Sequence, residues 1–169
     1  MQRGGRGMLI SYGHSRIFAY PPLSFSVLTT PIDGMPRHLK PGTRPPVLIV
    51  EDSVDFSNLL KFIVEDEGYE GLQFPLGDAD IVAWAEEHKP AVILMDLALR
   101  RKGGLEYIND LQANPETKKI PIIIISGREL MQKEILEFQV RGIRYLRKGR
   151  VEVQEIKDEI RKATTAVGH

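Results

Sequence analysis

The sequence has no cysteine in its 169 residues. That excludes disulfides, thiolate metal centres, iron–sulfur clusters and thiol nucleophiles. Aromatic residues are scarce at 7%, with a single tryptophan. No stretch approaches the roughly 18 consecutive apolar residues of a membrane-spanning helix, so no membrane insertion is expected. A secretory signal needs a continuous apolar core of about 7–15 residues. Ser, Tyr, Gly, His and Pro interrupt the N-terminal region instead, and a cytoplasmic location is the expectation. Neither GxxxxGK(S/T) nor GxGxxG occurs, which argues against a phosphate-cradling glycine loop for a nucleotide cofactor. Net charge is also missing, with 23 Lys+Arg against 23 Asp+Glu. Taken over the whole chain, that balance argues against direct nucleic-acid binding.

The neutrality is a cancellation. Residues 1–46 carry a net +5, residues 47–96 a net −10, and residues 97–169 a net +5. The first segment is poor material for a fold, because it holds seven of the 11 prolines and six glycines. Proline removes backbone donors and pushes its predecessor out of the helical region. The segment's apolar residues follow no period. The expectation for residues 1–46 is a basic, disordered N-terminal extension, with residues 47–169 forming one folded domain. Met35 lies just before the folded part, so start-site choice is one origin for the extension. A basic arm for an acidic partner is the other reading.

From Val47 the pattern becomes regular. Val47–Val50 is a β-branched run ending at Glu51-Asp52. Phe56, Leu59, Leu60, Ile63 and Val64 then recur at helical spacing, with Ser53 placed to cap and Gly68 to terminate. Further strands are predicted at Tyr69–Phe74, Ala91–Met95, Ile120–Ile125 and Ile143–Leu146. Further helices are predicted at Asp78–His88, Leu105–Ala113, Glu129–Val140 and Val151–Ala166. The continuous apolar runs of the third and fourth strands mark strands buried on both faces. Strict β/α alternation over about 120 residues implies a doubly wound, five-stranded parallel sheet.

In such a sheet the strand C-terminal ends share one edge, where ligands bind at the topological switch point. Glu51-Asp52 follow the first strand, Asp96 the third, Ser126 the fourth and Lys148 the fifth. Two carboxylates about 4 Å apart repel by roughly 4 kcal/mol at an effective dielectric near 20, so three of them require a counterion. Hard oxygen donors without His or Cys favour Mg²⁺. A metal and a lysine that neutralise phosphoryl oxygens while a carboxylate attacks make a set suited to phosphoryl transfer, and Ser126 adds a hydrogen-bond donor.

These residues at these separations resemble the receiver domain of response regulators in two-component signalling. The intervals are 44 residues from Asp52 to Asp96, then 30 to Ser126 and 22 to Lys148. The resemblance covers residues 47 to about 166 and implies a flavodoxin-like (βα)5 fold. It implies that Asp96 is the phosphoacceptor, that Lys148 and Ser126 complete the reactive set, and that Ser126 and Tyr145 form the switch. It further implies Mg²⁺ held by Asp52, Asp96 and the backbone carbonyl of Ala98, with Glu51 assisting through water. The implied partners are a sensor histidine kinase or phosphotransfer protein and an unidentified output protein. The chain ends about where the last helix ends, so the expectation is a stand-alone, chemotaxis-regulator-like phosphoacceptor domain and not an enzyme, with self-dephosphorylation as its one hydrolytic step.

The chain departs from the family's pattern at three places. Leu99-Arg100 stand where many receivers have Met-Pro, Gly149 follows the lysine in place of the common proline, and Gly127 follows Ser126 in place of alanine. Each matched residue also has a plainer reading. Asp96 serves as a turn residue, Glu51 and Asp52 begin a helix with favourable charge, Lys148 belongs to a solvated basic run, and Tyr145 is a packing residue. Two alternative functions follow: a binding module of receiver fold that is never phosphorylated, and a small Mg²⁺-dependent phosphatase. The second lacks an aspartate two positions after Asp96, where Ala98 stands.

Overall fold

The computed structural model describes residues 46–166. The extension proposed for residues 1–46 lies outside the described residues except for Pro46. The elements alternate: β1 (Pro46–Val50), α1 (Val54–Asp66), β2 (Glu70–Gln73), α2 (Ile81–His88), β3 (Val92–Met95), α3 (Gly104–Ala113), β4 (Ile122–Ser126), α4 (Gln132–Val140), β5 (Arg144–Arg147) and α5 (Val153–Ala166). The strands form one sheet in the order β2-β1-β3-β4-β5, and every pairing is parallel. This is the doubly wound architecture expected from the alternation.

Alternate strand residues serve opposite faces, since side chains on a strand have a period of two. Val47, Ile49, Val92, Leu94, Ile123 and Ile125 point to one face and pack against Leu60, Ile63 and Val64 of α1 and Ile156 and Ile160 of α5. Leu48, Val50, Ile93, Met95, Ile122 and Ile124 point to the other. There they meet Ile81 and Ala85 of α2, Tyr107, Ile108 and Leu111 of α3, and Phe138 of α4. Each fully buried Ile, Leu or Val side chain contributes about 1.5–3 kcal/mol against exposure, so two complete faces on β1, β3 and β4 dominate stability.

The element ends differ from the periodicity-based expectation for local reasons. β1 begins one residue early, at Pro46, a position where a strand can forgo an N–H donor; its carbonyl accepts the Ala91 N–H at 2.8 Å. α2 begins at Ile81 because the Asp80 carboxylate caps it, accepting the Val82 N–H at 2.8 Å. α4 starts at Gln132, three residues after the expected Glu129, where the Glu134 carboxylate reaches back to the Met131 N–H at 2.9 Å. Leu130 lies before that helix yet is buried. Leu59 and Leu136, which fit the helical apolar spacing, are exposed. Both lie at the margin of an apolar stripe that is narrower than the sequence pattern suggested.

The connectivity creates a crevice. From β1 the chain turns outward to β2, then crosses back over β1 to β3, so the loops following β1 and β3 diverge. Both strands end at the same level, with Val50 paired to Met95. The next residues, Glu51 and Asp96, therefore start that crevice side by side.

Candidate functional site

Glu51, Asp52 and Asp96 are brought together: one carboxylate oxygen from each lies within 4.8 Å of the others. Glu51 and Asp96 are buried and Asp52 is half-buried. Lys148, from the turn after β5, reaches across the strand ends. Its Nζ donates to Glu51 Oε2 at 2.6 Å and to Asp96 Oδ2 at 2.6 Å, and it lies 4.6 Å from the centre of the Phe56 ring. The other oxygen of each carboxylate is held by backbone: Glu51 Oε1 accepts the Ser53 N–H at 3.0 Å, and Asp96 Oδ1 accepts the Ala98 N–H at 3.0 Å.

Burial alone would raise the Asp96 carboxyl. The Ala98 N–H, Lys148 and a smaller contribution from Ser126 outweigh it and hold the group below its ordinary value. Burial would likewise lower Lys148, but hydrogen bonds to Asp96 and Glu51 raise it above the ordinary lysine value. Asp96 is therefore an ionised carboxylate near neutral pH, the form able to act as a nucleophile.

Ser126 ends β4 fully buried. Its carbonyl accepts the Lys148 N–H at 3.0 Å, and its hydroxyl accepts the Arg128 N–H at 3.3 Å. Tyr145, half-buried on β5, donates its hydroxyl to the Arg128 carbonyl at 2.6 Å. Lys148, Ser126, Arg128 and Tyr145 thus form one hydrogen-bonded chain from the crevice to the outer side of β5. Burial raises the Tyr145 phenol above its ordinary value, so it remains a donor.

Two features were not legible from spacing. Arg100, in the loop after β3, donates from Nε to Asp52 Oδ2 at 2.9 Å and from Nη2 to the Asp52 carbonyl at 3.3 Å. The only sequence signal was a run of three cations downstream of Asp96. Gly104, the first residue of α3, packs on the Asp96 backbone so closely that a Cβ there would stand 2.0 Å from the Asp96 carbonyl oxygen. Glycine at this point lets the helix start against the strand end.

The departure at Gly149 is also local geometry. Its φ is +78°, a left-handed conformation that proline, fixed near −65°, cannot take.

The donor set fits a hard divalent cation. Three carboxylates converge with no nitrogen or sulfur ligand among them, and the Ala98 carbonyl belongs to an exposed residue beside Asp96. Small oxygen-liking cations such as Mg²⁺ use one or two carboxylates plus water in this way. A cavity of about 370 Å³ opens beside Asp52, between Leu76, Leu99, Arg100 and Tyr107. A larger one, about 650 Å³, lies at the opposite strand ends among Lys119, Arg141, Arg144 and Lys162, and none of Glu51, Asp52, Asp96, Ser126 and Lys148 lines it.

Residues 47–161 match the family described as the response regulator receiver domain. The polar-differentiation response regulator DivK of Brucella anthropi is 35% identical over 81 residues, which cover 48% of this chain and 65% of that protein. The chain spans between 25% and 68% of the length of such curated relatives. Among solved structures, chemotaxis protein CheY4 of Vibrio cholerae superposes with a TM-score of 0.61 at 21% identity, covering 71% of this chain and 98% of that one. The receiver domain of sensor histidine kinase PA1611 from Pseudomonas aeruginosa gives a TM-score of 0.60 at 22% identity, over 72% of this chain and 98% of that one. That structure is described with a magnesium ion coordinated in its active-site cleft. At these identities both likenesses speak to the fold.

Proposed function

The chain belongs to the response regulator receiver domain family, and on that premise we propose that Asp96 accepts a phosphoryl group from a phosphohistidine of a sensor kinase or phosphotransfer protein. The observation that carries this reading is the Lys148 bridge, 2.6 Å to Asp96 and 2.6 Å to Glu51, with Asp52 completing the carboxylate cluster. An Asp96 oxygen attacks phosphorus as the P–N bond to the donor imidazole breaks, its electron pair returning to a ring that carries a proton on its other nitrogen. The products are a mixed anhydride on Asp96 and a neutral imidazole. Lys148 has two tasks in this step. It keeps Asp96 ionised before attack and, once a carboxylate lone pair is committed to phosphorus, neutralises phosphoryl oxygens.

Asp52, Asp96 and the Ala98 carbonyl would hold Mg²⁺, and Glu51, already occupied by Lys148 and the Ser53 N–H, would reach it through water. The ion supplies positive charge for the phosphoryl oxygens. Its presence in the PA1611 receiver supports this assignment.

Ser126 would donate its hydroxyl to the phosphoryl group. Drawing the Ser126 Oγ toward that group would lengthen its 3.3 Å contact with the Arg128 N–H and disturb the chain that ends at Tyr145. A conformational equilibrium biased by phosphorylation follows, read out by an output protein on the β5 side. Phosphotransfer to wild type and Asp96→Asn, with and without Mg²⁺, tests the reading. Mg²⁺-dependent labelling of wild type alone is expected; equal labelling of both would overturn it.

A second reading has one observation in its favour, the Arg100 contact on Asp52. It treats the domain as a binding module with no phosphorylated state. Partner affinity that does not respond to beryllofluoride would support it.

A further inference from the structure

Arg100 is bound in a way that a solvated loop arginine has no need to be. It makes a two-point contact on a single residue, to the Asp52 carboxylate at 2.9 Å and the Asp52 carbonyl at 3.3 Å. Its neighbours behave differently. Lys102 turns away to Asp110 and lies over the Tyr107 ring, and Arg101 makes no ion pair among the described residues. Leu99, immediately before, packs against the core, so the guanidinium extends from a fixed pivot.

The three carboxylates therefore divide between two cations. Lys148 serves Glu51 and Asp96, and Arg100 covers the third, Asp52. Of the two, only Arg100 comes from solvent: its side chain is 82% exposed, against 20% for Lys148. A charge that is mostly hydrated can leave at little cost, whereas Lys148 cannot leave without stranding two buried carboxylates.

Resting on the reading that this crevice takes a divalent cation, we propose that Arg100 is a resident counterion that the cation must displace from Asp52. Metal affinity is then set by competition with the chain's own guanidinium. Only the fraction of molecules with Arg100 swung away is competent to bind, and apparent affinity falls by that fraction. A largely exposed pair favours the closed form by a few-fold. Repulsion between the guanidinium and a dication at close range adds to this. Together they predict that removing Arg100 tightens Mg²⁺ binding by about three- to tenfold. Arg100 is a positioning residue in this scheme, acting through Asp52.

The test is an amide chemical-shift titration of the full chain with MgCl₂ at fixed ionic strength, on wild type, Arg100→Gln, Arg100→Lys, Arg101→Gln and Asp52→Asn. Arg100→Gln is expected to bind about three- to tenfold tighter than wild type. Arg100→Lys, which keeps the charge but loses the fork, is expected to fall between them. Arg101→Gln removes the same loop charge without the contact and is expected to stay within about twofold of wild type. If Arg100→Gln does no more than Arg101→Gln while Asp52→Asn abolishes binding, the competition is wrong and the metal site stands. If no variant binds, the metal reading falls and the competition falls with it.

Discussion

The Nζ of Lys148 stands 2.6 Å from Asp96 Oδ2, across 52 residues of sequence, and the same nitrogen stands 2.6 Å from Glu51 Oε2. One ammonium thus bridges two buried carboxylates, and the site's stability and its reactivity depend on the same atom.

Replacing the lysine should therefore destabilise the fold. Lys148→Met strands Glu51 and Asp96 as neighbouring buried charges, and breaking a buried pair from one side costs about 3–5 kcal/mol. Urea unfolding should show a loss of unfolding free energy of that size. The double variant Lys148→Met/Asp96→Asn should recover a large part of it, because one of the two repelling charges is gone. No recovery would mean the loss is packing.

The acid limb of stability should respond to Asp96. Its carboxyl is held below the ordinary value of 3.8 when folded, so the unfolded chain binds more protons near that pH and stability rises with pH there. The contribution is present above about pH 3.8 and is lost as pH falls through the lower folded value. Asp96→Asn should flatten the dependence of the unfolding midpoint on pH as pH falls below about 4. Glu159, also held low despite burial by Lys162 and Arg144, keeps the remaining slope from vanishing. An unchanged slope in Asp96→Asn would contradict the assignment. Lys148, raised above 10.5, has the opposite sign: its contribution is full below that pH and lost as pH rises through the folded value.

Gly104→Ala should be costly where Gly127→Ala is not. A Cβ at 104 meets the Asp96 carbonyl oxygen at 2.0 Å, whereas one at 127 meets nothing within 4 Å. Moving the α3 N-terminus off the strand end should cost about 1–3 kcal/mol and slow the proposed phosphorylation of Asp96, since the displaced backbone is that residue's own. Gly127→Ala should stay within about 0.5 kcal/mol. Chemical denaturation and labelling rates on both variants check this.

The turn carrying Lys148 should reject proline at 149. With φ at +78°, Gly149→Ala is expected to cost about 1 kcal/mol. Gly149→Pro should cost more, because the ring forces the turn to refold. If Gly149→Pro keeps wild-type stability, the turn has a second conformation of equal energy.

The fold could be read from the chain wherever both faces of a strand are buried. Val92–Met95 and Ile122–Ile125 are uninterrupted apolar runs, and the residues that terminate those strands inherit their place at the crevice. Reading failed where local electrostatics or a long reach decides. Asp80 and Glu134 set helix starts through single hydrogen bonds, which periodicity does not register. The edge strand expected at Tyr69–Phe74 is present and shorter by one residue at each end, Glu70–Gln73. Arg100 meets Asp52 from 48 positions away, and no spacing rule connects a loop cation to one particular carboxylate. Placing Glu51, Asp52, Asp96, Ser126 and Lys148 near one another needed only register. Knowing which oxygen each one holds needed coordinates.

The hydrogen-bonded chain from Lys148 through Ser126 and Arg128 to Tyr145 has a consequence for timing and threshold. Its weakest link is the 3.3 Å bond from the Arg128 N–H to the Ser126 hydroxyl. Releasing one such bond costs on the order of 1 kcal/mol, which leaves roughly one molecule in six unlatched at rest. In the switch proposed above, so light a catch would make the idle state noisy and the answer to a weak stimulus graded, without a sharp trigger point. A quiet resting state would then have to come from a partner that holds the catch closed.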